Sequence, residues 1–377
     1  MNRVKTIGIV GGGQLGMILT EAAIELGFKV VVVNPTANSP AAQAGAQEIV
    51  ADLYDKAALR ELAKRTDVIT VEIEHLDTNA LEKIAQTDTP VHPSPATIRL
   101  IQDKYQQKVF LQKSGIPVAP FRIVESNQEA HDALSEYGGK MILKTRHGAY
   151  DGRGNATINS EDDLEKSLEH FKDSKLYAEE QIPFAKELAV IIARGTSGAV
   201  KIYPVVETFH VRNICSEVHS PAVIDKSIYE KAIKVAEEVA KHLVGAGVFA
   251  IEMFLTQEGE VLVNEIAPRV HNSGHHTIEG NETSQFEQHI RAVTGMKLGP
   301  TDIKVQAAVM INILGERNGE TKISGLEIAE QIPDVYVHLY GKSPTKIDRK
   351  MGHITATGKD MDETIHRARQ ARKAIQI

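Results

Sequence analysis

The chain has 377 residues, and its 43 Lys and Arg against 50 Asp and Glu give a net charge of −7. This balance argues against non-specific nucleic-acid binding, which requires a basic surface, and a hydrophobic share of 42% excludes disorder for most of the chain. The single cysteine, Cys215, excludes an intramolecular disulfide framework and a cysteine-rich metal site. Without a membrane-length apolar run or a secretory-type N-terminus, the sequence predicts a cytoplasmic protein with neither membrane nor nucleic-acid partners.

The first hundred residues alternate predicted strands with predicted helices. Strands are predicted over 5–10, 30–33 and 68–73, and helices over 15–26, 56–64 and 79–85. Such alternation is typical of a parallel sheet covered by helices. Pro90, Pro93 and Pro95 then interrupt the pattern, so we place a domain boundary near residue 96.

The rest of the chain mixes short strands with isolated helices. After a helix over 97–114, strands are predicted over 141–145, 176–181, 188–193, 305–314 and 335–339, and helices over 160–171, 228–244 and 362–375. A β-hairpin is predicted from 249–255 and 261–266. We therefore expect α/β and α+β structure that ends in a small, β-rich part.

A glycine-rich motif, Gly-Gly-Gly-Gln-Leu-Gly at 11–16, lies between the first predicted strand and helix. It fits the dinucleotide fingerprint, but that fingerprint requires an acid at the end of the second strand, where this chain has Asn34. A nicotinamide cofactor is therefore disfavoured, which leaves a turn needed for packing or contact with an anionic substrate. Glu72, Glu74 and His75 follow the third strand, as substrate contacts or as a solvated loop.

A second glycine-rich segment follows the predicted strand that contains Lys144. Because a buried lysine requires a counter-charge, Lys144 is a candidate phosphate ligand. Residues 146–154 contain three glycines, two arginines and a histidine, which favours a mobile cationic flap over phosphates or, alternatively, a flexible surface loop. The segment lacks the Gly-Lys-Ser/Thr ending of a Walker loop. Lys104 is a candidate second phosphate contact.

Two acids lie within the apolar strands of the predicted hairpin. Antiparallel pairing would bring Glu252 close to Glu265, which follows Asn264. Oxygen ligands favour magnesium, which binds one or two carboxylates and completes its shell with phosphates and water, although structural salt bridges are an alternative. The loop after the hairpin is rich in donors for an anionic substrate, above all Arg269. Its proline and glycine disfavour zinc at His271 and His275, despite their i, i+4 spacing.

Together these motifs resemble those of the ATP-grasp ligases and, within them, of the 5-(carboxyamino)imidazole ribonucleotide synthases. The resemblance rests on segments 11–16, 102–104, 150–154, 179–182, 264–275, 284–287, 340–342 and 349–353. It implies an ATP-grasp fold in which 1–96 is a Rossmann-like pre-ATP-grasp domain and 97–185 a small subdomain with the phosphate flap. By the same resemblance, 186–300 is a large subdomain with the metal and substrate site, and 301–377 contributes substrate-phosphate contacts.

The resemblance also implies roles for particular residues. The implied ATP-binding residues are Lys104, Lys144, Ala149, Tyr150, Asp151, Gly152, Arg153, Gly154, Asn155, Glu179, Glu180, Gln181, Ile182, Glu187, His210, Asn264 and Glu265. Substrate binding is assigned to Gln14, Leu15, Glu72, Tyr150, Asp151, Arg153, Arg269, His271, Asn272, Ser273, Lys342 and Arg349. Catalytic roles are assigned to Lys144, Asp151, Arg153, Arg269 and His271, and magnesium binding to Glu252 and Glu265. Many relatives carry a third metal ligand, Asn, where this chain has Ala267.

The implied reaction is the ATP- and bicarbonate-dependent carboxylation of 5-aminoimidazole ribonucleotide through carboxyphosphate, a step of purine biosynthesis, by a magnesium-dependent homodimer. Carboxyphosphate hydrolyses readily, so a closing flap that excludes water is expected. One alternative is another ATP-grasp ligase, such as a formate-dependent glycinamide ribonucleotide transformylase. A nicotinamide-dependent oxidoreductase and a nucleotide-binding regulator without chemistry are further alternatives.

Overall fold

The computed structural model describes residues 4–148 and 154–377. The predictions made for Ala149, Tyr150, Asp151, Gly152 and Arg153, at the centre of the expected flap, lie outside the described residues. Among the described residues, none of the helices is both long enough and apolar enough to cross a bilayer.

The N-terminal part is a four-stranded parallel sheet, as the alternating pattern predicts. Its strands are β1 (Thr6–Val10), β2 (Lys29–Asn34), β3 (Gln47–Val50) and β4 (Val68–Val71), in the order β3-β2-β1-β4, with helices α1 (Gln14–Glu25), α2 (Pro40–Gln43), α3 (Lys56–Arg65) and α4 (Thr78–Ala85). Val30–Val33 are all buried because helices cover both faces of the sheet. The short edge strand β3 escaped prediction because its half-exposed residues carry no apolar run.

The single helix predicted over 97–114 is wrong, because the structure has two helices, α5 (Pro95–Gln102) and α6 (Lys104–Lys113). Asp103 separates them in an extended conformation (φ −98°, ψ 99°), and its side chain accepts a hydrogen bond from the Gln106 amide at the start of α6. Asp103 thus ends one helix and caps the next. The break gives α6 its own direction, and α6 lies along the edge of the large sheet described below.

A small antiparallel sheet follows. Its strands are β5 (Phe121–Val124), β6 (Met141–Thr145), β7 (Asn155–Ile158) and β8 (Leu176–Glu180), in the order β5-β8-β6-β7, with helices α7 (Asn127–Glu136) and α8 (Glu161–His170). Leu134, Leu143, Leu164 and Ala178 belong to the apolar core between these helices and the sheet. Side chains alternate between the two faces of a strand, so Lys144 points away from the side that Leu143 faces.

The largest sheet contains the predicted hairpin. Its strands are β9 (Phe184–Arg194), β10 (Val200–Ile202), β11 (Val206–Val211), β12 (Ile214–Ser220), β13 (Gly247–Thr256), β14 (Val261–Ala267), β15 (Ala307–Leu314), β16 (Val335–Leu339) and β17 (Lys350–Gly358). They run in the order β14-β13-β9-β11-β12-β15-β17-β16, and β10 pairs with β9. The remaining helices are α9 (Lys226–His242), α10 (Thr277–Gly280), α11 (Gln285–Val293), α12 (Leu326–Glu330) and α13 (Met361–Ala374).

The C-terminal strands continue this sheet. β15 pairs with β12, and β17 and β16 extend the same sheet beyond β15. The part predicted to begin at residue 301 therefore shares hydrogen-bonded strands with the part predicted to end at residue 300. This continuity places the ends of β16 and β17 beside the cavity that the other parts enclose.

Candidate active site

One cavity of about 1200 Å³ opens where the three sheets approach one another. Most predicted site residues among the described ones line it: Gln14, Leu15, Glu72, Lys104, Lys144, Asn155, Glu179, Glu180, Gln181, Ile182, Glu187, His210, Glu252, Asn264, Glu265, Arg269, His271, Asn272, Lys342 and Arg349. Residues separated by more than 300 positions in sequence are thereby brought to one site. Gly154 and Ser273 are described but do not belong to the lining.

Lys144 lies on β6 and finds the counter-charge that its burial requires. Its Nζ lies 2.6 Å from Oε2 of Glu179 on β8 and 3.4 Å from Oδ1 of Asn264 on β14. A second lysine, Lys108 on α6, lies 3.1 Å from the other oxygen of Glu179. Burial alone would raise the pKa of the Glu179 carboxyl, but the two lysines outweigh it and lower that pKa to about 2. The three side chains form a buried ion cluster at the wall of the cavity.

The two hairpin acids face each other, as predicted. Glu252 and Glu265 are direct partners in the β13–β14 register, and Nζ of Lys104 lies 2.6 Å from Oε2 of Glu265. Burial, followed by the negative charge of Glu265, raises the pKa of Glu252. Burial also disfavours the charged form of Glu265, but Lys104 outweighs it and lowers the pKa of Glu265. Lys104, predicted as a phosphate contact, is thus held by an acid of the proposed metal pair.

The carboxylate pair fits magnesium. Two oxygen-bearing side chains occupy facing positions on neighbouring strands, and their like charges repel unless a cation lies between them. Within the described residues, no group of three or more His, Cys, Asp or Glu side chains is arranged to hold a metal ion. Magnesium requires only one or two carboxylates when phosphates and water complete its shell, so a two-acid site with Ala267 in the third position remains adequate.

Glu187 and His210 form a neighbouring polar pair in the large sheet. Nδ1 of His210 lies 2.8 Å from Oε2 of Glu187, on strands β11 and β9. Burial lowers the pKa of His210, but the contact with Glu187 and the charge of Glu252 outweigh it, so the net shift is upward. This arrangement places an acceptor carboxylate, expected at the ribose hydroxyls, beside a donor imidazole.

Two phenylalanines form an apolar wall that the sequence analysis missed. The rings of Phe184 and Phe254 stack with centroids 4.7 Å apart, and both line the cavity next to Glu179–Ile182. A signal was present in the sequence, because Phe254 lies two residues after Glu252 in the same strand and therefore shares its face. A flat apolar wall beside strand-end backbone groups suits a planar heterocycle.

The first glycine motif is occupied by the protein itself. The amides of Gly13 and Gly16, at the start of α1, donate to the two carboxylate oxygens of Glu72, each at 2.5 Å, and the Gly12 amide donates to Asn34. Burial raises the pKa of Glu72 despite these bonds. A carboxylate therefore takes the position in which a dinucleotide would place its pyrophosphate. The anion at this helix start is thus a carboxylate of the chain itself, and not the anionic substrate that the sequence left as an alternative.

Glu74 determines the orientation of Arg269. Nε and Nη2 of Arg269 lie 2.6 and 3.1 Å from the two oxygens of Glu74, a forked pair joining the N-terminal part to the large sheet. Burial would raise the pKa of Glu74, but Arg269 outweighs it and lowers that pKa to about 2. The sequence analysis left Glu74 as a contact or a loop residue; the structure makes it the partner of a predicted substrate ligand.

His271 and Ser273 are adjacent but not equivalent. His271 lines the cavity, whereas the fully buried Ser273 lies outside its lining, with its hydroxyl 2.9 Å from Nδ1 of His271. Direct substrate contact by Ser273, as assigned, therefore disagrees with its position; the short loop turns its side chain back onto the histidine. Burial and the positive charges of Arg269 and Lys350 lower the pKa of His271 to about 3, so its imidazole is neutral at pH 7.

Lys342 and Arg349 bring cationic side chains from the C-terminal part into the cavity. Nζ of Lys342 donates to the backbone carbonyl of Lys350 at 2.8 Å, and Nη1 of Arg349 donates to that of Pro344 at 2.6 Å. These bonds give both side chains defined positions in the lining of the cavity. Together with Arg269, they place three cationic side chains in the lining of the cavity.

Three family models together match most of the chain. They are the ribonucleotide synthetase preATP-grasp domain at 4–102, the ATP-grasp domain at 109–286 and the phosphoribosylaminoimidazole carboxylase C-terminal domain at 308–367. The predicted ATP-grasp fold with an N-terminal parallel-sheet domain is confirmed, and the ATP-grasp domain supports ATP as the nucleotide.

Curated relatives agree with these models. The N5-carboxyaminoimidazole ribonucleotide synthase of Bacillus subtilis is 40% identical over 95% of this chain and 93% of its own length. The chloroplastic phosphoribosylaminoimidazole carboxylase of Vigna aconitifolia is 45% identical over 94% of this chain but only 64% of its own length. The chain thus spans less than two thirds of that longer relative.

Solved structures are similar over almost the whole chain. The N5-carboxyaminoimidazole ribonucleotide synthetase of Thermotoga maritima has a TM-score of 0.90 and 42% identity, with 99% of each chain covered. The Aspergillus clavatus synthase, in complex with ADP and 5-aminoimidazole ribonucleotide, has a TM-score of 0.93 and 39% identity, again with 99% of each chain covered.

Proposed function

Because this chain belongs to the N5-carboxyaminoimidazole ribonucleotide synthase family of ATP-grasp carbon–nitrogen ligases, we propose that it carboxylates the exocyclic amine of 5-aminoimidazole ribonucleotide. ATP and bicarbonate are consumed, and ADP and phosphate are released, as a step of purine biosynthesis. The observation that carries the proposal is that one cavity is lined both by the lysine and carboxylate cluster and by the cationic side chains of Arg269, Lys342 and Arg349.

The first half-reaction passes the terminal phosphoryl group to bicarbonate. A bicarbonate oxygen attacks the γ-phosphorus as the bond to the ADP oxygen breaks, giving carboxyphosphate. Lys104 and Lys144 stabilise the charge on the phosphates, and the backbone of Glu179–Ile182 with the Phe184–Phe254 wall holds the adenine. Magnesium bound by Glu252 and Glu265 would supply further charge neutralisation on the transferring group.

The second half-reaction forms the carbon–nitrogen bond. The exocyclic amine attacks the carboxyl carbon of carboxyphosphate as phosphate leaves, or it attacks carbon dioxide after phosphate has left. In both routes the amine nitrogen gives up one proton. Arg269, Lys342 and Arg349 hold the ribonucleotide, and Arg269 is kept in place by Glu74. Orienting two substrates in one cavity supplies much of the rate enhancement. The catalytic roles assigned to His271, Asp151 and Arg153 stay predictions.

The decisive experiment follows ADP release from ATP and bicarbonate with and without 5-aminoimidazole ribonucleotide, together with carbon-14 transfer from bicarbonate. We expect ribonucleotide-dependent incorporation. Activity with formate and glycinamide ribonucleotide instead would favour the transformylase alternative and contradict the proposal.

Magnesium dependence, the homodimer and the cytoplasmic location also stay predictions. Removal of divalent ions with EDTA should abolish ADP release, and added magnesium should restore it. Analytical ultracentrifugation tests the homodimer; a sedimenting monomer at micromolar concentration would contradict it.

A further inference from the structure

Lys108 is a buried cation for which the family resemblance implies no role. It lies one turn after Lys104 on the same face of α6, and only 2% of its side chain is exposed. Its Nζ lies 3.1 Å from Oε1 of Glu179 and donates to the backbone carbonyl of Val263 at 3.2 Å. A lysine at this depth is costly unless its charge is compensated, and Glu179 compensates it.

The position of Glu179 connects Lys108 to the phosphate site. The Glu179 carboxylate lies between the two lysines, with Oε1 facing Lys108 and Oε2 facing Lys144 at 2.6 Å. Lys144 lines the cavity, whereas Lys108 does not. Two lysines share one carboxylate, so the cluster keeps one net positive charge, and that charge lies at the cavity wall.

Without Lys108, the same cluster would be neutral. Glu179 would then compensate Lys144 alone, and the cavity would lose the positive charge that attracts phosphates. Lys108 also donates to the strand that carries Asn264 and Glu265, so it ties the small sheet to the wall bearing the acids. Burial lowers the pKa of Lys108, and the negative charge of Glu179 opposes that shift.

We propose that Lys108 is a positioning residue for nucleotide binding. From outside the cavity lining it balances the negative charge of Glu179, so the positive charge of Lys144 is available to the polyphosphate of ATP. Lys108 acts through Glu179 and Lys144 and does not itself touch the nucleotide. The inference rests on the proposed use of ATP and is independent of the identity of the amine substrate.

The test compares ADP and adenosine binding by titration calorimetry in wild type, K108M, E179Q and the double variant K108M/E179Q. Methionine keeps the length and apolar stem of lysine without its charge. We expect K108M to bind ADP about tenfold more weakly, since a unit charge near the phosphates is lost in a poorly screened site. Adenosine has no phosphate, so its affinity should change less than about twofold by the same electrostatic argument.

The double variant separates charge from structure. Removing both Lys108 and the Glu179 charge restores one net positive charge at Lys144, so K108M/E179Q should regain most of the ADP affinity that K108M loses. E179Q alone completes the double-variant cycle, from which the coupling between Lys108 and Glu179 is calculated. A merely structural role would make the double variant as weak as K108M or weaker, and would weaken adenosine in parallel. K113M, at an exposed lysine of the same helix, is the matched control.

Each outcome decides the matter. Unchanged ADP affinity in K108M, equal losses for ADP and adenosine, or no recovery in the double variant would overturn the inference. If K108M does not fold, K108M/E179Q still tests the inference, because ADP binding about tenfold weaker than in wild type would contradict the charge argument. Failure of the wild type to bind ADP would overturn the proposed function as well, whereas wild-type binding with K108M unchanged overturns this inference alone.

Discussion

Two regions of the cavity carry sequence patterns typical of anion binding, and the structure treats them in opposite ways. At the start of α1, Glu72 fills the position of the anion and accepts from Gly13 and Gly16. At the small sheet, Lys144 lies against Asn264 and against Glu179, a carboxylate that it shares with Lys108, and it faces the cavity. A glycine motif therefore predicts a backbone shape, while the nearest carboxylate decides whether an external anion can bind there.

The largest expected effect on turnover is that of Glu265→Ala, in the region where Lys144 faces the cavity. The variant removes one of two magnesium carboxylates and the partner of Lys104, so turnover should fall by about 1000-fold or more with the fold intact. Steady-state ADP release and circular dichroism measure the two properties. Glu258→Ala, at the exposed hairpin turn, is the control, and near-normal turnover in Glu265→Ala would refute the metal assignment.

Arg269→Ala should mainly weaken use of the ribonucleotide. The variant removes the fork that Glu74 orients, so the KM for 5-aminoimidazole ribonucleotide should rise about 30-fold while ADP affinity changes little. Initial rates at varied ribonucleotide concentration give the first value, and calorimetry gives the second. An unchanged ribonucleotide dependence would count against placing Arg269 at that substrate.

Glu72→Gln tests the region at the start of α1, where Glu72 occupies the anion position. An amide presents one oxygen to two donating amides, so one buried N–H loses its partner, and the free energy of unfolding should fall by about 1–3 kcal/mol. Urea denaturation measures this change, with the exposed Glu25→Gln on α1 as the control. If the variant instead gained NAD binding without loss of stability, Glu72 would serve to exclude a dinucleotide and would not stabilise the fold.

The smallest expected effect is on acid stability, where the two regions should differ in sign. The pKa of Glu179 is lowered to about 2, so its contribution to stability is full above the unfolded value near 4.5 and is lost as pH falls towards 2. The pKa of Glu72 is raised, so its ionisation opposes folding as pH rises. Urea midpoints between pH 3 and 6 should therefore depend less on pH in Glu179→Gln than in wild type; an equal dependence would contradict the shift.

Much of the site could be predicted because its charged residues lie in strands that are otherwise apolar. A lysine in an apolar strand and two acids in a hairpin are costly without partners, so Lys144, Glu252 and Glu265 are conspicuous in the sequence. The N-terminal parallel sheet could likewise be predicted, because short β-branched strands alternate there with segments of helical spacing.

The remainder depended on tertiary contacts that no local pattern encodes. The apolar spacing of α5 and α6 continues across Asp103, so the helix break there shows only once its cap is formed. Glu74 and Lys108 carry ordinary charges in sequence, and their importance arises from partners 195 and 71 positions away. Ser273 is a polar residue in a donor-rich loop, but a short turn places its hydroxyl against His271 and outside the lining of the cavity.

The contacts of α6 have one further consequence, for the solution behaviour of the molecule. β14 is the last strand of the large sheet, and a bare strand of this kind invites pairing with another chain. The Gln107 side chain both donates to and accepts from the Ile266 backbone, and the Val263 backbone meets Lys108 and Pro117. The helix thereby covers the edge strand β14 and protects it from pairing with another chain. Loosening α6 would therefore expose an aggregation-prone edge strand as well as the proposed nucleotide site.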